Sequence, residues 1–254
     1  MAPITRARRI STLSAYLKEK EITLISSIAT LLSPVPKPIH ISPLNNLSVG
    51  DSFDPESVIN EIILNGYSRV DFVSLPGHYA LRGSVMDIFL TSGTEPIRIE
   101  FFNNQIESLR IFNPESQITH EKINHINFLP SYEYPLNRNS AEIFKKEWRK
   151  RFELFEEDSE LFRRIMNLRH PEGAEIYFPL FYGTKSDFIP FLQYADQIYI
   201  QDNVNKKAYD FEELVNQRYE EYRYDQKRPL LAPDDLFLSM NELSANIKDS
   251  LSFD

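Results

Sequence analysis

The chain has 254 residues, a hydrophobic fraction of 42% and a mean hydropathy of −0.38. That is enough for one or two domains with a sizeable core, and no apolar run is long enough to span a membrane. Its net charge of −9 and pI near 5.2 argue against an unaided grip on nucleic-acid phosphates, which takes concentrated Lys and Arg. Cysteine is absent. This excludes a disulfide scaffold or thiolate metal site and, with no apolar segment behind the first arginines, points to a cytoplasmic protein without a secretory signal.

From the N-terminus, Arg8 to Lys18 carries Ile10, Leu13 and Leu17 at helical spacing. Glu21 to Ser26 reads as a buried strand and Ile28 to Leu32 as a helical turn, which Pro34, Pro36 and Pro38 end. One strand and two short helices form no core of their own, so they need a sheet from elsewhere. Asp54 to Gly66 is a clear helix. Asp54 is the expected N-cap, Pro55 takes the first helical position and Gly66 closes the end. Val58, Ile59, Ile62 and Ile63 form its apolar stripe.

A strand over Tyr67 to Leu75 leads into an antiparallel meander that runs to Phe112, with a further extended run over Ile118 to Phe128. Its tightest turn is Asn103-Asn104, two residues that tolerate positive φ. Alternation puts Ile97, Ile99 and Phe101 on one face and Arg98, Glu100 and Phe102 on the other. Pairing through the Asn-Asn turn would set Glu100 across from Glu107, a like-charge pair that Arg98 could relieve. Arg98 beside an aromatic residue reads either as a solvated strand face or as an interaction patch. Residues 46–136 make one small α+β domain on this reading.

From Asn139 the pattern changes. Asn139 with Glu142 resembles a capping box, and Phe144, Trp148, Phe152 and Phe155 form a stripe on a long helix. A second helix, Ser159 to Leu168, stops at His170-Pro171-Glu172-Gly173. Strands at Glu175–Phe178 and Gln197–Ile200 then alternate with helices at Asp187–Gln193, Asn205–Tyr224 and Asn241–Lys248, with a short element at Leu236–Leu238. This pattern predicts a parallel α/β sheet, joined by Ile22–Ile25, with the meander domain inserted into it.

No residue set for catalysis stands out. No GxxxxGK[ST] loop occurs, and Gly183-Thr184-Lys185-Ser186 reads as a turn. His120-Glu121-Lys122-Ile123-Asn124-His125 misses HExxH by one residue, which turns the second His by about 100° on a helix; a surface loop is the better reading. Asp87, Glu100 and Glu107 could share a face as a metal-binding carboxylate group, but Arg98 among them neutralises it. The basic run Lys145 to Arg151 precedes Glu153, Glu156, Glu157 and Asp158, so it reads as a solvated helix face rather than a nucleic-acid contact.

Gly66-Tyr67, Val70-Asp71, Pro76-Gly77-His78-Tyr79-Ala80-Leu81-Arg82-Gly83 and Asp87-Ile88-Phe89 resemble the UvrB-like domain of bacterial nucleotide excision repair. Pro96-Ile97-Arg98-Ile99-Glu100-Phe101-Phe102, Ile106-Glu107-Ser108-Leu109-Arg110 and Leu129-Pro130 with Glu133 extend the match. UvrB and the transcription-repair coupling factors share this domain. Ser116-Gln117 and Glu175-Ile176-Tyr177-Phe178-Pro179-Leu180-Phe181 are similar to the coupling factors.

The resemblance implies a degenerate helicase-like α/β domain, present in part as residues 1–45 and 137–254, with a UvrA-binding α+β domain inserted at 46–136. It also implies that the chain is a piece of a large ATP-driven DNA translocase, one that displaces stalled RNA polymerase from double-stranded DNA and recruits UvrA. The piece itself would be non-catalytic, without metal or cofactor, ATP and Mg²⁺ belonging to motor domains it lacks. The family's UvrA contacts, two arginines and the second Phe of the motif, carry over to Arg82, Arg98 and Phe102. Gly83, Asp87 and Glu100 support them, and in the whole protein a C-terminal domain masks the surface.

Unbroken alternation from Met86 through Ser84 would put Arg82 on the wrong face, so a bulge at Gly83 is expected. A structural role for Arg82, paired with Asp87 or Glu100, stays open. Two other classes remain. A piece of a UvrB-type subunit would have a Walker loop upstream, and a DNA-binding or nuclease module would show salt-dependent DNA retention or Mg²⁺-dependent cleavage.

Overall fold

A computed structural model describes residues 3–18, 21–33, 35–36, 38–41, 45–152, 159–183, 188–189, 195–225, 228–244 and 251–253. In chain order the elements begin with α1 (Pro3–Lys18), α2 (Ile28–Leu32), β1 (Val35–Pro36), α3 (Pro38–Ile41), β2 (Asn45–Ser48) and α4 (Pro55–Leu64). Six strands follow: β3 (Ser68–Arg69), β4 (His78–Arg82), β5 (Val85–Ile88), β6 (Ile97–Phe102), β7 (Gln105–Phe112) and β8 (Thr119–Ile123). Then come β9 (His125–Phe128), α5 (Arg138–Phe152), α6 (Glu160–Met166) and a 3₁₀ helix (Ala174–Phe181). The chain closes with β10 (Phe188–Ile189), β11 (Tyr199–Gln201), α7 (Val204–Tyr222), α8 (Pro233–Leu236), α9 (Met240–Ser244) and β12 (Leu251–Phe253). The fold is mixed α/β and divides into two compact units, Met1–Glu19 with Pro38–Leu136, and Lys20–Lys37 with Asn137–Asp254.

The first unit is built on a six-stranded sheet in the order β3-β4-β5-β6-β7-β8, antiparallel except for the β3–β4 pair. One face buries Tyr79, Met86, Ile88, Ile97, Ile99 and Leu109 against Val58 and Ile62 of α4. As the sequence predicts, Asp54 caps α4 by accepting from Glu56 N, and Pro55 opens it. Gly66 follows at φ +89°. There a Cβ would lie 2.2 Å from Tyr132 Cδ2, so only glycine fits both the backbone and the space. The expected run over Ile118–Phe128 is split at Asn124, and β9 leaves the main sheet to pair with β2. Helix α1 belongs to this unit, whereas the sequence reading placed residues 1–45 with the C-terminal part. Its Ile10 and Leu13 are buried, Arg9 bonds Glu133, and the Arg6 guanidinium lies 3.8 Å from the Tyr132 ring centre.

The second unit has a helical, aromatic core. Along α5, Phe144, Trp148 and Phe152 form the expected stripe (Phe155 lies outside the described residues) and meet Phe162, Tyr177 and Phe181. The cap of α5 is Asn137 with Ser140, not Asn139 with Glu142. Ser140 N donates to Asn137 Oδ1 at 3.0 Å and Asn137 N to Ser140 Oγ at 2.9 Å.

Further sequence expectations are corrected in this unit. Glu175–Phe178 is not a strand but part of the 3₁₀ helix, entered through Gly173 at φ +80° and interrupted by Pro179. Six of its eight residues are buried, and a short run buried on most sides has no periodicity that separates a strand from a helix. Glu21–Ser26 is not a buried strand, since Ile25 is 94% exposed there. Parallel pairing is limited, among the described residues of this unit, to β11 with β12, while β1 and β10 pair antiparallel. Within the helix expected over Asp187–Gln193, Phe188–Ile189 is strand β10 and the rest lies outside the described residues, as do Thr184–Ser186, Glu153–Asp158 and the end of the helix expected over Asn241–Lys248.

Candidate protein-docking site

The second face of the main sheet carries the charged residues, and the pairing register explains how. Ala80 stands opposite Asp87 and Arg82 opposite Val85; Asp87 in turn faces Arg98, and Val85 faces Glu100. Cross-strand partners share a face, so Arg82, Asp87, Arg98 and Glu100 lie together. The bulge expected at Gly83 is absent. Gly83-Ser84 is a two-residue turn with regular pairing on both sides and Gly83 at φ +59°. A two-residue turn makes Arg82 and Val85 direct partners, so it sets their common face and counting alternation through it misleads.

Asp87 is the centre of this face. Its carboxylate is 1% exposed and accepts from Arg98 twice, Nε to Oδ1 at 2.7 Å and Nη2 to Oδ2 at 3.0 Å. That is a bidentate fork, the stronger geometry for an arginine–carboxylate pair. Arg82 Nη1 reaches the same Oδ2 at 3.2 Å, and its Nη2 donates to the Asp71 carbonyl at 2.7 Å. Arg98 lies 4.9 Å from the centre of the buried Phe112 ring and turns Nη1 to the Gln117 carbonyl. Its hydrogen bonds to Asp87 raise its pKa above the ordinary value, outweighing partial burial. Arg82 therefore pairs with Asp87, one of the two structural partners the sequence allowed, while its side chain remains 47% exposed.

Glu100 does not face Glu107. A β-bulge between Glu100 and Phe101 shifts the register, so that Glu100 pairs with Ser108. It accepts from Ser108 Oγ and bonds Arg110 at 3.4 Å. The like-charge pair is thereby avoided, and the Asp87–Glu100–Glu107 carboxylate group does not form. Among the described residues no group of three or more His, Asp or Glu could hold a metal. His120 and His125 lie on β8 and β9 rather than in a loop, with His120 3.5 Å from Glu95. In the basic stretch of α5, Lys150 and Arg151 both bond the buried Glu147.

Phe102 stands at the tip of the β6–β7 hairpin, 61% exposed, on the same face as Arg98. Asn103 (φ 48°) and Asn104 (φ 59°) make the turn the sequence predicts. The tip is braced from below: Phe53 N donates to the Asn104 carbonyl, and the Phe53 and Phe101 rings pack 4.9 Å apart. One neighbour was missed from sequence. Phe72 is 71% exposed, and the Arg82 guanidinium lies 5.8 Å from its ring centre. The sequence places Phe72 within a strand over Tyr67 to Leu75, but β3 covers only Ser68–Arg69, and Phe72 follows it outside any strand.

The face thus combines a surplus arginine, a buried counter-charge and exposed aromatic rings, residue types that protein interfaces favour. In comparison with known proteins, residues 46–134 match the UvrB interaction domain. The chain is also similar to transcription-repair-coupling factors. It is 30% identical to that of Escherichia coli K12 over 79% of its own length, and 28% identical to that of Haemophilus influenzae over 94%. The match to the Bacillus subtilis protein is 28% over 52%. The chain spans 18% and 21% of the length of the first two relatives. No helix among the described residues is long and apolar enough to cross a membrane.

Proposed function

We propose that this chain is the UvrA-recruiting region of a transcription-repair coupling factor and that it docks UvrA by presenting a UvrB-like surface. The observation that carries the reading is the Arg82–Asp87–Arg98 cluster on the same sheet face as exposed Phe102, within a stretch that matches the UvrB interaction domain. Arg82 and Arg98 offer charge-assisted hydrogen bonds to carboxylates of UvrA, and Phe102 supplies apolar area. The second unit is the remnant of a helicase-like α/β domain without an ATP site. Translocation on double-stranded DNA, ATP with Mg²⁺, and displacement of RNA polymerase belong to the whole protein, which is cytoplasmic. There a C-terminal domain masks the docking surface; in its absence the surface binds UvrA constitutively.

Calorimetric titration of UvrA with this chain tests the reading. Micromolar or tighter binding, weakened about 30-fold or more in Arg98→Ala and in Phe102→Ala, is the expected result. A folded chain that does not bind UvrA overturns it.

A further inference from the structure

We infer that Phe72 and Arg82 form a second anchor of the docking surface, a carboxylate clamp that takes an acidic side chain of the partner together with the apolar group beside it. The inference rests on UvrA being the partner and adds Phe72, which lies outside the three-residue motif.

Three observations carry it. First, one buried carboxylate serves two guanidinium groups, so one unit of positive charge stays uncompensated by Asp87, and it resides on the more exposed arginine. Arg82 is 47% exposed against 21% for Arg98. Second, the clamp is held in shape before any partner arrives. Arg98 forks Asp87 from the far side, Asp87 holds Nη1 of Arg82, and the Asp71 carbonyl holds Nη2. An arginine fixed in this way loses little side-chain freedom on binding. Third, Phe72 is exposed on a pinned backbone. Val70 N donates to the Tyr79 carbonyl, and the fully buried Val73 accepts from Gln117 Nε2. Gln117 is thus tied both to this segment and, through its own carbonyl, to Arg98.

Isolated exposed apolar residues are ordinary on a protein surface. An aromatic ring under a guanidinium with surplus charge is a different chemical object, because the ring shields the hydrogen bonds of an incoming carboxylate from water on one side. The partner feature that fits is an Asp or Glu flanked by an aliphatic or aromatic side chain.

The test is calorimetry with UvrA, comparing the unsubstituted chain with Phe72→Ala, Phe72→Tyr, Arg82→Ala and the Phe72→Ala/Arg82→Ala double variant. The ring is exposed, so Phe72→Ala is expected to melt at an unchanged temperature while binding at least tenfold more weakly. Phe72→Tyr, which keeps the ring, should bind like the unsubstituted chain. The double variant should bind no more than about twofold more weakly than Arg82→Ala, since the two residues act together. Phe72→Ala binding as tightly as the unsubstituted chain, with Phe102→Ala still impaired, overturns the clamp and leaves the docking reading standing. So do losses that multiply in the double variant. Failure of the unsubstituted chain to bind UvrA overturns the docking reading itself, and the clamp with it.

Discussion

Among the described residues, two buried carboxylates, Asp87 and Glu147, each hold two cations in different surroundings. Asp87, 1% exposed, is bonded by arginines from two neighbouring strands; Glu147, 5% exposed, is bonded by Lys150 and Arg151 of its own helix. Arg151 goes on to Asp235 at 3.3 Å, so that group carries as many negative as positive charges, and the same helix buries Trp148 and Phe152. The Asp87 group carries one more positive charge than negative, has the exposed Phe72 ring against Arg82, and shares its sheet face with the exposed Phe102. A buried ion pair is therefore a poor indicator of binding by itself. Surplus charge next to exposed apolar area is the informative combination.

Removing each carboxylate in turn is the strongest way to break this contrast. Asp87→Asn leaves two guanidinium groups on one sheet face without their counter-charge. It should cost about 3 kcal/mol of folding stability in denaturant titration. Glu147→Gln should cost about 1 kcal/mol, because Lys150 is 55% exposed and water replaces what it loses. Equal losses would mean that the sheet group is no more structural than a helix-surface pair.

Phe102→Ala separates binding from stability. A central aromatic anchor contributes about 2 kcal/mol, roughly a 30-fold change in affinity for UvrA. The denaturation midpoint should stay where it is, since the ring is 61% exposed. A falling midpoint would show that Phe102 supports the hairpin rather than a partner. Arg98→Lys sharpens the same contrast on the charged side. Lysine keeps the charge but cannot fork Asp87, at a cost of about 1.5 kcal/mol. Lys150→Arg on the helix should stay within about 0.5 kcal/mol in the same titration.

Much of the first unit was legible because its signals are local. Asp54-Pro55 and Gly66 bound α4, Asn103-Asn104 sets the hairpin, and alternation puts Arg98 and Phe102 on one face. What was not legible depends on pairing across strands. The bulge between Glu100 and Phe101 that seats Glu100 against Ser108 has no glycine to announce it. The Gly83-Ser84 turn was mistaken for a bulge because strand ends are invisible until partners are known. In the second unit, Ala174–Phe181 is apolar on nearly every side, and its 3₁₀ form follows from packing on α5 rather than from any period of its own.

The smallest effect separates the two units by pH. Burial lowers the pKa of His78 below its ordinary 6.5, and its Nδ1 accepts from Leu75 N at 3.3 Å. A folded pKa below the unfolded one makes the unfolded chain bind the proton first. The stability His78 contributes is thus complete above pH 6.5 and is lost as pH falls below that value toward the folded pKa. Burial alone would raise the pKa of Glu147, but hydrogen bonds from Lys150 and Arg151 outweigh it, and the net shift is downward from 4.5. Its contribution is complete above pH 4.5 and is lost only as pH drops further. Amide exchange in the first unit should therefore begin to quicken below pH 6.5, after correction for the intrinsic rate. In the second unit it should hold until about pH 4.5. His78→Gln should remove the upper step and Glu147→Gln the lower one. A single acid transition shared by both units, unmoved by either substitution, would show that neither group governs the acid limb.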